Sequence, residues 1–311
     1  MAEERGLSEG SPSAARGESK SSREARQLAK LTIKMGMNPE GGMEIEFGAR
    51  TDMGRMRQNN EDAFRAAPEI CLFVLSDGMG GQSSGEVASR LASETVVTHC
   101  REASKNPSLP LVGKLTEGIS EAGNRLGSAI RLANRVVHQA GQESAAQAGM
   151  GATLVAVMLT EERVNIAHVG DSRVYRLRNG EFEPLTRDHS FIAEQVRQGL
   201  MTEQEANNSN LQNVLLRAVG VDAEVEVEVN EELLAEEDTL VLCSDGLTKE
   251  LSDAEIAKVL AETDDPQAAA DRLVKLANDA GGSDNITVMV LRHAPKLVGT
   301  FGRLGRWFKG S

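Results

Sequence analysis

Aromatic side chains are scarce in this chain: Phe, Tyr and Trp together make up 3% of its 311 residues, with one Tyr and one Trp. A core must therefore be built from Val, Leu, Ile, Ala and Met, which the 40% hydrophobic content supplies. Only Cys71, Cys100 and Cys243 represent cysteine. Their odd number and wide spacing exclude a disulfide framework and a zinc-binding repeat, and point to a reducing, cytoplasmic setting. No apolar stretch approaches the ~20 residues needed to span a bilayer. The polar start, Met1–Gly10, has no signal-peptide core, so a soluble protein is expected. Excess positive charge is also missing. The net charge is −13, while residues 295–311 hold four basic residues and no acid. The body between the termini is therefore more acidic than the whole. Such a body repels nucleic-acid backbones and suits a bound cation.

Three stretches divide the chain. Residues 1–42 are rich in Ser, Gly, Glu and Arg and read as a disordered polar extension, with at most a weak helix near Ser22–Met35. Residues 43–294 carry the periodic patterns of a folded domain. Residues 295–311 place Leu297, Phe301, Leu304, Trp307 and Phe308 at helical spacing among Lys and Arg, a basic amphipathic tail. Its chemistry suits weak contact with an anionic membrane surface or an acidic protein, which would put the chain at the inner face of the membrane.

Within the domain, the alternation Ile45, Phe47, Ala49 opens a strand, and the apolar runs Ile70–Leu75, Thr153–Leu159, Val164–Val169, Val174–Leu177, Phe182–Leu185, Val225–Val229, Thr239–Cys243 and Ile286–Leu291 predict others. Arg178-Asn179-Gly180-Glu181 predicts a hairpin. Helical spacing runs from Ser84 through Val87, Leu91 and Thr95, and a long stripe predicts a helix over Leu111–Val137. Further helices start at Ser252, with Glu255 completing a capping box, and at Asp265 before Pro266. Phe191–Asn213 is polar and short-helical, an excursion over the surface. Strands, two helices, strands, two helices and a strand predict an α+β fold: a four-layer αββα sandwich of two antiparallel sheets, with a helix pair on each outer face.

Chemistry gathers at the strand ends. Ile70–Leu75 runs into Ser76-Asp77-Gly78-Met79-Gly80-Gly81, and Leu240–Cys243 into Ser244-Asp245-Gly246, while Asp284-Asn285 stands ahead of Ile286. Taken alone, each Asp-Gly reads equally as an ordinary turn. Gly54–Asp62 adds Arg57 four residues before the pair Glu61-Asp62. By themselves these are a surface charge and a solvated turn. Together, five carboxylates and a guanidinium are the parts for hard divalent cations and for a phosphate group.

With Gly149-Met150-Gly151-Ala152-Thr153, Val169–Arg173, Thr186–Ser190 and Ser283–Thr287, these motifs resemble, in order, the metal-dependent serine/threonine protein phosphatases of the PPM family, class 2C, bacterial branch. The resemblance covers residues 43–294. It implies two Mn²⁺ or Mg²⁺ ions per chain: Asp77 bridging both, the Gly78 carbonyl on one, Asp245 and Asp284 on the other, and Glu61 and Asp62 holding ion-bound waters. Arg57 would bind the substrate phosphate, and Phe191–Asn213 would be the mobile flap beside the site. The implied reaction is hydrolysis of phosphoserine and phosphothreonine on proteins, opposing a bacterial Ser/Thr kinase, by a monomer without nucleic-acid partners. Two departures stand out. Met79 occupies the position where some branches carry a histidine acid. Ala145-Ala146-Gln147-Ala148 stands where bacterial relatives place an aspartate for a third ion, which is therefore expected to bind weakly or not at all. That loss keeps open an alternative, a catalytically weak phosphatase-fold module that binds phosphoproteins or regulates a partner. A phosphatase acting on an anti-sigma antagonist is a third reading with the same chemistry. Asp171 is expected to hold a turn by hydrogen bonding, in preference to the alternative of metal ligation, and the five histidines to be structural.

Overall fold

A computed structural model describes residues 32–35, 43–80, 84–160, 162–207, 209, 211 and 213–293. In chain order, strands β1 (Thr32–Met35), β2 (Met43–Asp52), β3 (Asp62–Ala67) and β4 (Leu72–Met79) lead to helices α1 (Ser84–Lys105) and α2 (Glu121–Glu143). Strands β5 (Gly151–Ala152), β6 (Leu154–Leu159), β7 (Arg163–Val169), β8 (Arg173–Arg178) and β9 (Glu181–Pro184) follow. The short helices α3 (Phe191–Arg197) and α4 (Glu203–Asn207) precede β10 (Glu228–Leu233) and β11 (Thr239–Cys243). The chain then runs through α5 (Asp245–Thr248), α6 (Asp253–Glu262) and α7 (Pro266–Ala280) into β12 (Ile286–His293).

The strands form two antiparallel sheets, ordered β1-β2-β12-β11-β8-β9 and β10-β7-β6-β4-β3, with β5 paired to the end of β4. Alternation decides which side chains meet. Phe73 and Leu75 of β4 join Phe47 of β2 and Met289 and Leu291 of β12 between the sheets, where Phe47 and Phe73 pack edge to face at 5.3 Å. Leu72 and Val74 point the other way, under Ala88, Ala92 and Val96 of α1 and Leu126, Ile130 and Ala133 of α2. On the opposite outer face, Val288 and Val290 lie under Ile256 and Leu260 of α6 and Leu273 and Val274 of α7. Central strands buried on both faces are the reason the sequence shows continuous apolar runs. The four-layer αββα expectation holds.

Several local signals act as expected. Asn179 (φ 52°) and Gly180 (φ 84°) both adopt the left-handed conformation of a tight hairpin, and Arg178 pairs with Glu181. Ser252 and Glu255 form the capping box, and Asp265 caps α7 ahead of Pro266.

Others are corrected. The stripe from Leu111 does not make one helix: α2 begins at Glu121, capped by Ser120, and Leu115 is 62% exposed. Pro110 and the left-handed Gly113 and Gly118 break the backbone before the cap. The strand expected at Val225–Val229 lies at Glu228–Leu233, because Val225 and Val227 turn onto the helix layer instead. The weak helix near Ser22–Met35 ends in error, since Thr32–Met35 is a strand on the edge of β2. That strand lies inside the stretch taken as the polar extension; the rest of residues 1–42, and the tail 295–311, lie outside the described residues. Cys71, Cys100 and Cys243 are free and buried. Among the described residues, no helix is long and apolar enough to cross a membrane.

Candidate metal centre

Strand register brings the first two carboxylates together. Asp62 at the start of β3 pairs directly with Asp77 near the end of β4, so both side chains project on one face of the sheet. The turn behind them is tightly packed. A Cβ on Gly78 would overlap the Gly85 carbonyl at the start of α1, which is why β4 and α1 can meet only through glycines here. Ser89 Oγ of the same helix donates to the Glu61 carbonyl at 2.5 Å, and Gly78 N–H donates to it at 3.1 Å.

Asp62 is oriented by the other sheet. Its Oδ2 accepts from Ser244 Oγ at 2.8 Å and Thr287 Oγ1 at 2.6 Å. Ser244 stands at the N-cap of α5 yet makes no capping bond; its hydroxyl accepts Thr287 N–H and donates to Asp62 instead. A relay runs from Asn60 Nδ2 through Thr51 Oγ1 to Thr287 Oγ1 and on to Asp62. Asn285 completes the frame: its Nδ2 donates to the Met53 and Asn59 carbonyls, and its Oδ1 accepts Glu61 N–H. Sequence reasoning singled out none of Asn60, Thr51, Ser244, Thr287 or Asn285 as positioning groups.

Asp245 opens α5 and Asp284 precedes β12. Lys249, one helical turn after Asp245, lies with Nζ 2.6 Å from Asp245 Oδ2 and 3.0 Å from Asp284 Oδ2. Arg57 forks onto Asp284 as well, with Nε 2.8 Å from Oδ1 and Nη2 2.9 Å from Oδ2. Lys249 was missed in the sequence, although its i,i+4 spacing from Asp245 was there to find. Glu61 is set apart: its Oε1 accepts from Asn59 Nδ2 at 3.0 Å.

The electrostatics are those of acids crowded together. Burial pushes Asp62 up to about 7, with the charges of Asp245 and Asp284 adding to the rise against its two hydroxyl bonds. Asp77 is raised well above the usual carboxylate range by burial, then by Asp62, Asp245, Asp171 and Asp284. Asp245 is raised by burial despite Lys249. Asp284 alone is lowered, because Lys249, the Asn285 N–H and Arg57 together outweigh burial. Asp171, expected to hold a turn, also lies within electrostatic reach of these acids. Burial and the charges of Asp245 and Asp188 push it up to about 7, and it repels Asp77 in turn.

Two buried oxygens in this cluster, Asp62 Oδ1 and Asp245 Oδ1, have no hydrogen-bond partner. Partnerless carboxylate oxygens among mutually repelling acids are costly unless a cation completes them. The donor set is all oxygen and suits hard divalent cations.

In the stretch expected to lack an acid for a third ion, Ala145–Gln147 forms one 3₁₀ turn whose Ala146 carbonyl accepts from Ser84 Oγ. Glu143, the nearest acid, is exposed and bonds Gln139.

A second group competes for attention. Among the described residues, His168, His189 and Glu228 are the one set of three whose ligand atoms lie within 4.8 Å of one another. Their geometry argues against an ion. The imidazoles stack at 4.6 Å and 16°, so their in-plane lone pairs run side by side and do not converge. Three ring nitrogens are already engaged, with the Arg187 carbonyl, the Gly170 N–H and Glu228. The trio fastens the segment after β9 to β7, as expected of structural histidines. Arg173 does similar work, forking onto Asp188 at 2.9 and 2.7 Å and donating to the Tyr175 hydroxyl.

Comparison with known proteins decides the family. The sequence profile of the protein phosphatase 2C family matches residues 54–278. The chain belongs to that family. It is 37% identical over 252 residues to the serine/threonine phosphatase stp of Listeria innocua, covering 80% of this chain and 95% of that one. It is 33% identical over 251 residues to the protein phosphatase PhpP of Streptococcus pneumoniae, covering 79% and 97%. Among solved structures, the Mycobacterium tuberculosis serine/threonine phosphatase PstP/Ppp superposes with a TM-score of 0.70 at 33% identity, covering 81% of this chain and 99% of the other. The catalytic domain of PstP in complex with two manganese ions gives 0.67 at 32%, covering 81% and 99%. This member of the family is a protein serine/threonine phosphatase by class.

Proposed function

We propose that the chain hydrolyses phosphoserine and phosphothreonine on proteins at the centre built by Asp62, Asp77, Asp245 and Asp284, opposing a bacterial Ser/Thr kinase. The observation that carries this is the pair of buried, partnerless oxygens, Asp62 Oδ1 and Asp245 Oδ1, inside an aspartate cluster flanked by Arg57.

Asp77 would bridge the two halves of the centre, as the family resemblance implies, and the charges of Asp62, Asp245 and Asp284 all act on it. Asp245 and Asp284 would hold one half, and the Gly78 carbonyl the other. Glu61 and Asp62 would hold ion-bound waters, with Asp62 oriented by the Ser244 and Thr287 bonds to its Oδ2. Two Mn²⁺ or Mg²⁺ ions bound among these oxygens would supply Lewis acidity and activate a shared water for attack on phosphorus. Arg57 neutralises and orients the substrate phosphate, moving one or both of its N–H donors from Asp284 to phosphate oxygens. Met79 cannot donate a proton, so the leaving alkoxide takes its proton from water.

Turnover of an aryl phosphate and of a phosphothreonine peptide, with Mn²⁺ and then with excess chelator, tests the reading. Hydrolysis that the chelator abolishes is expected. Firm Mn²⁺ binding without turnover would instead select the catalytically weak module that recognises phosphoproteins.

A further inference from the structure

Lys249 holds an unusual position for a cation. Its ammonium lies between Asp245 and Asp284, at 2.6 and 3.0 Å, the two carboxylates assigned above to one half of the metal centre. It occupies Asp245 Oδ2 and shares Asp284 Oδ2 with Arg57, leaving Asp245 Oδ1 as the partnerless oxygen. The side chain is held in place from one end. Lys249 follows the last residue of α5, its N–H bonding back to the Asp245 carbonyl at 2.8 Å, so the ammonium is tethered within reach of both acids. The pair is largely shielded: the Lys249 side chain is 27% exposed, Asp245 18% and Asp284 16%. In such surroundings attraction between unit charges is screened far less than at an open surface.

A cation entering between Asp245 and Asp284 must therefore share these oxygens with a fixed positive charge or displace it. The same does not hold at the other end of the centre. Asp62 is bonded only by neutral hydroxyls, and its pairing partner Asp77 has no cation in ion-pair contact among the described residues, with Arg57 acting on it only at longer range. The two halves of one site thus differ in built-in charge.

We propose that Lys249 is a tethered counter-cation that competes with the ion of the Asp245–Asp284 half, making the two ion positions unequal, with this half filling second and weakly. The proposal rests on the metal-dependent reading above. It makes Lys249 a residue that sets metal demand, acting through Asp245 and Asp284 without touching the reacting atoms.

Calorimetric titration of the chelator-stripped full-length chain with Mn²⁺ tests it. The native protein should show a strong and a weak binding step. Lys249→Gln, and Lys249→Met with a similar length, should tighten the weak step by about tenfold or more while leaving the strong step within a factor of about three. Lys249→Arg, which keeps the charge, should leave both steps near native. Circular dichroism and the melting temperature confirm folding of each variant. A weak step unchanged or loosened in both neutral variants would overturn the proposal while leaving the phosphatase reading standing. A raised KM for aryl phosphate with unaltered Mn²⁺ binding would overturn it too, by moving Lys249 onto the substrate. Absence of Mn²⁺ binding in the native protein would overturn the metal reading and this proposal together.

Discussion

Asp77 and Arg57 sit at opposite ends of the site's chemistry and should fail differently. Asp62, Asp171, Asp245 and Asp284 all act on Asp77, so Asp77→Asn removes charge from both halves at once. Its kcat should fall by at least ~10²-fold, in steady-state assays at saturating Mn²⁺. Near-native turnover by a folded Asp77→Asn protein would remove the bridging role. Arg57 is half exposed and lightly held, with its one ion-pair partner, Asp284, among the described residues. Arg57→Ala should raise KM by about tenfold or more, the worth of a bidentate phosphate contact, with a smaller change in kcat. If the variant instead shifts its Mn²⁺ requirement at constant KM, Arg57 acts through Asp284 alone.

At the scale of elements, the segment from Thr186 to Ser190 is fastened to the sheet by one partly buried ion pair and one stacked pair of rings. Arg173, partly buried, depends on Asp188 for its compensating charge. Asp188→Asn keeps the shape and removes that charge. The cost should be about 1–3 kcal/mol, that of breaking charge-assisted hydrogen bonds in a partly buried pair, read as a lowered midpoint in urea with an unchanged slope. A loss below about 1 kcal/mol would show that water or Tyr175 compensates the arginine. The helix layers depend on their caps in the same way. Ser120 shows the strength of that device: it accepts Gly123 N–H and starts α2 ten residues after the apolar stripe begins at Leu111.

For the whole molecule, the acidic centre couples stability to pH and to metal. Asp62 and Asp171 are raised to about 7 when folded, against about 3.9 in the unfolded chain. The folded state therefore binds more protons between those values, and these groups lose stabilisation as pH rises from about 4 to about 7. The buried His168 and His99, both lowered on folding, act in the opposite sense at pH values up to their unfolded value of about 6.5. Comparing melting temperatures with Mn²⁺ and with chelator at each pH cancels the histidines. The stabilisation given by Mn²⁺ should grow from pH 5 to pH 7.5 and binding should release protons, because metal and protons compete for the same oxygens. A metal-induced shift that is constant across this range would contradict the crowded-acid account.

Much of this protein was legible in one dimension because the signals are local. A hairpin at Asn179-Gly180 needs only a positive φ at both positions, and the caps at Ser252 and Asp265 need only a hydroxyl or carboxylate near the next turn. Apolar runs ending in aspartate located Asp77 and Asp245, since a strand buried on both faces and its terminal turn are written in neighbouring residues. What neighbours cannot encode is who meets whom. Asp62 faces Asp77 through the register of β3 and β4, and reaches Ser244 and Thr287 only because the two sheets stack and carry residues 182 and 225 positions away to the same carboxylate. Lys249 between two aspartates, Asp171 within the acidic cluster and the short strand at Thr32–Met35 likewise arise from packing. Burial of both sheet faces sets those distances. The sequence by itself determined which chemical groups stand at the strand ends; the stacking of the sheets decided that they share one site and which cation stands among them.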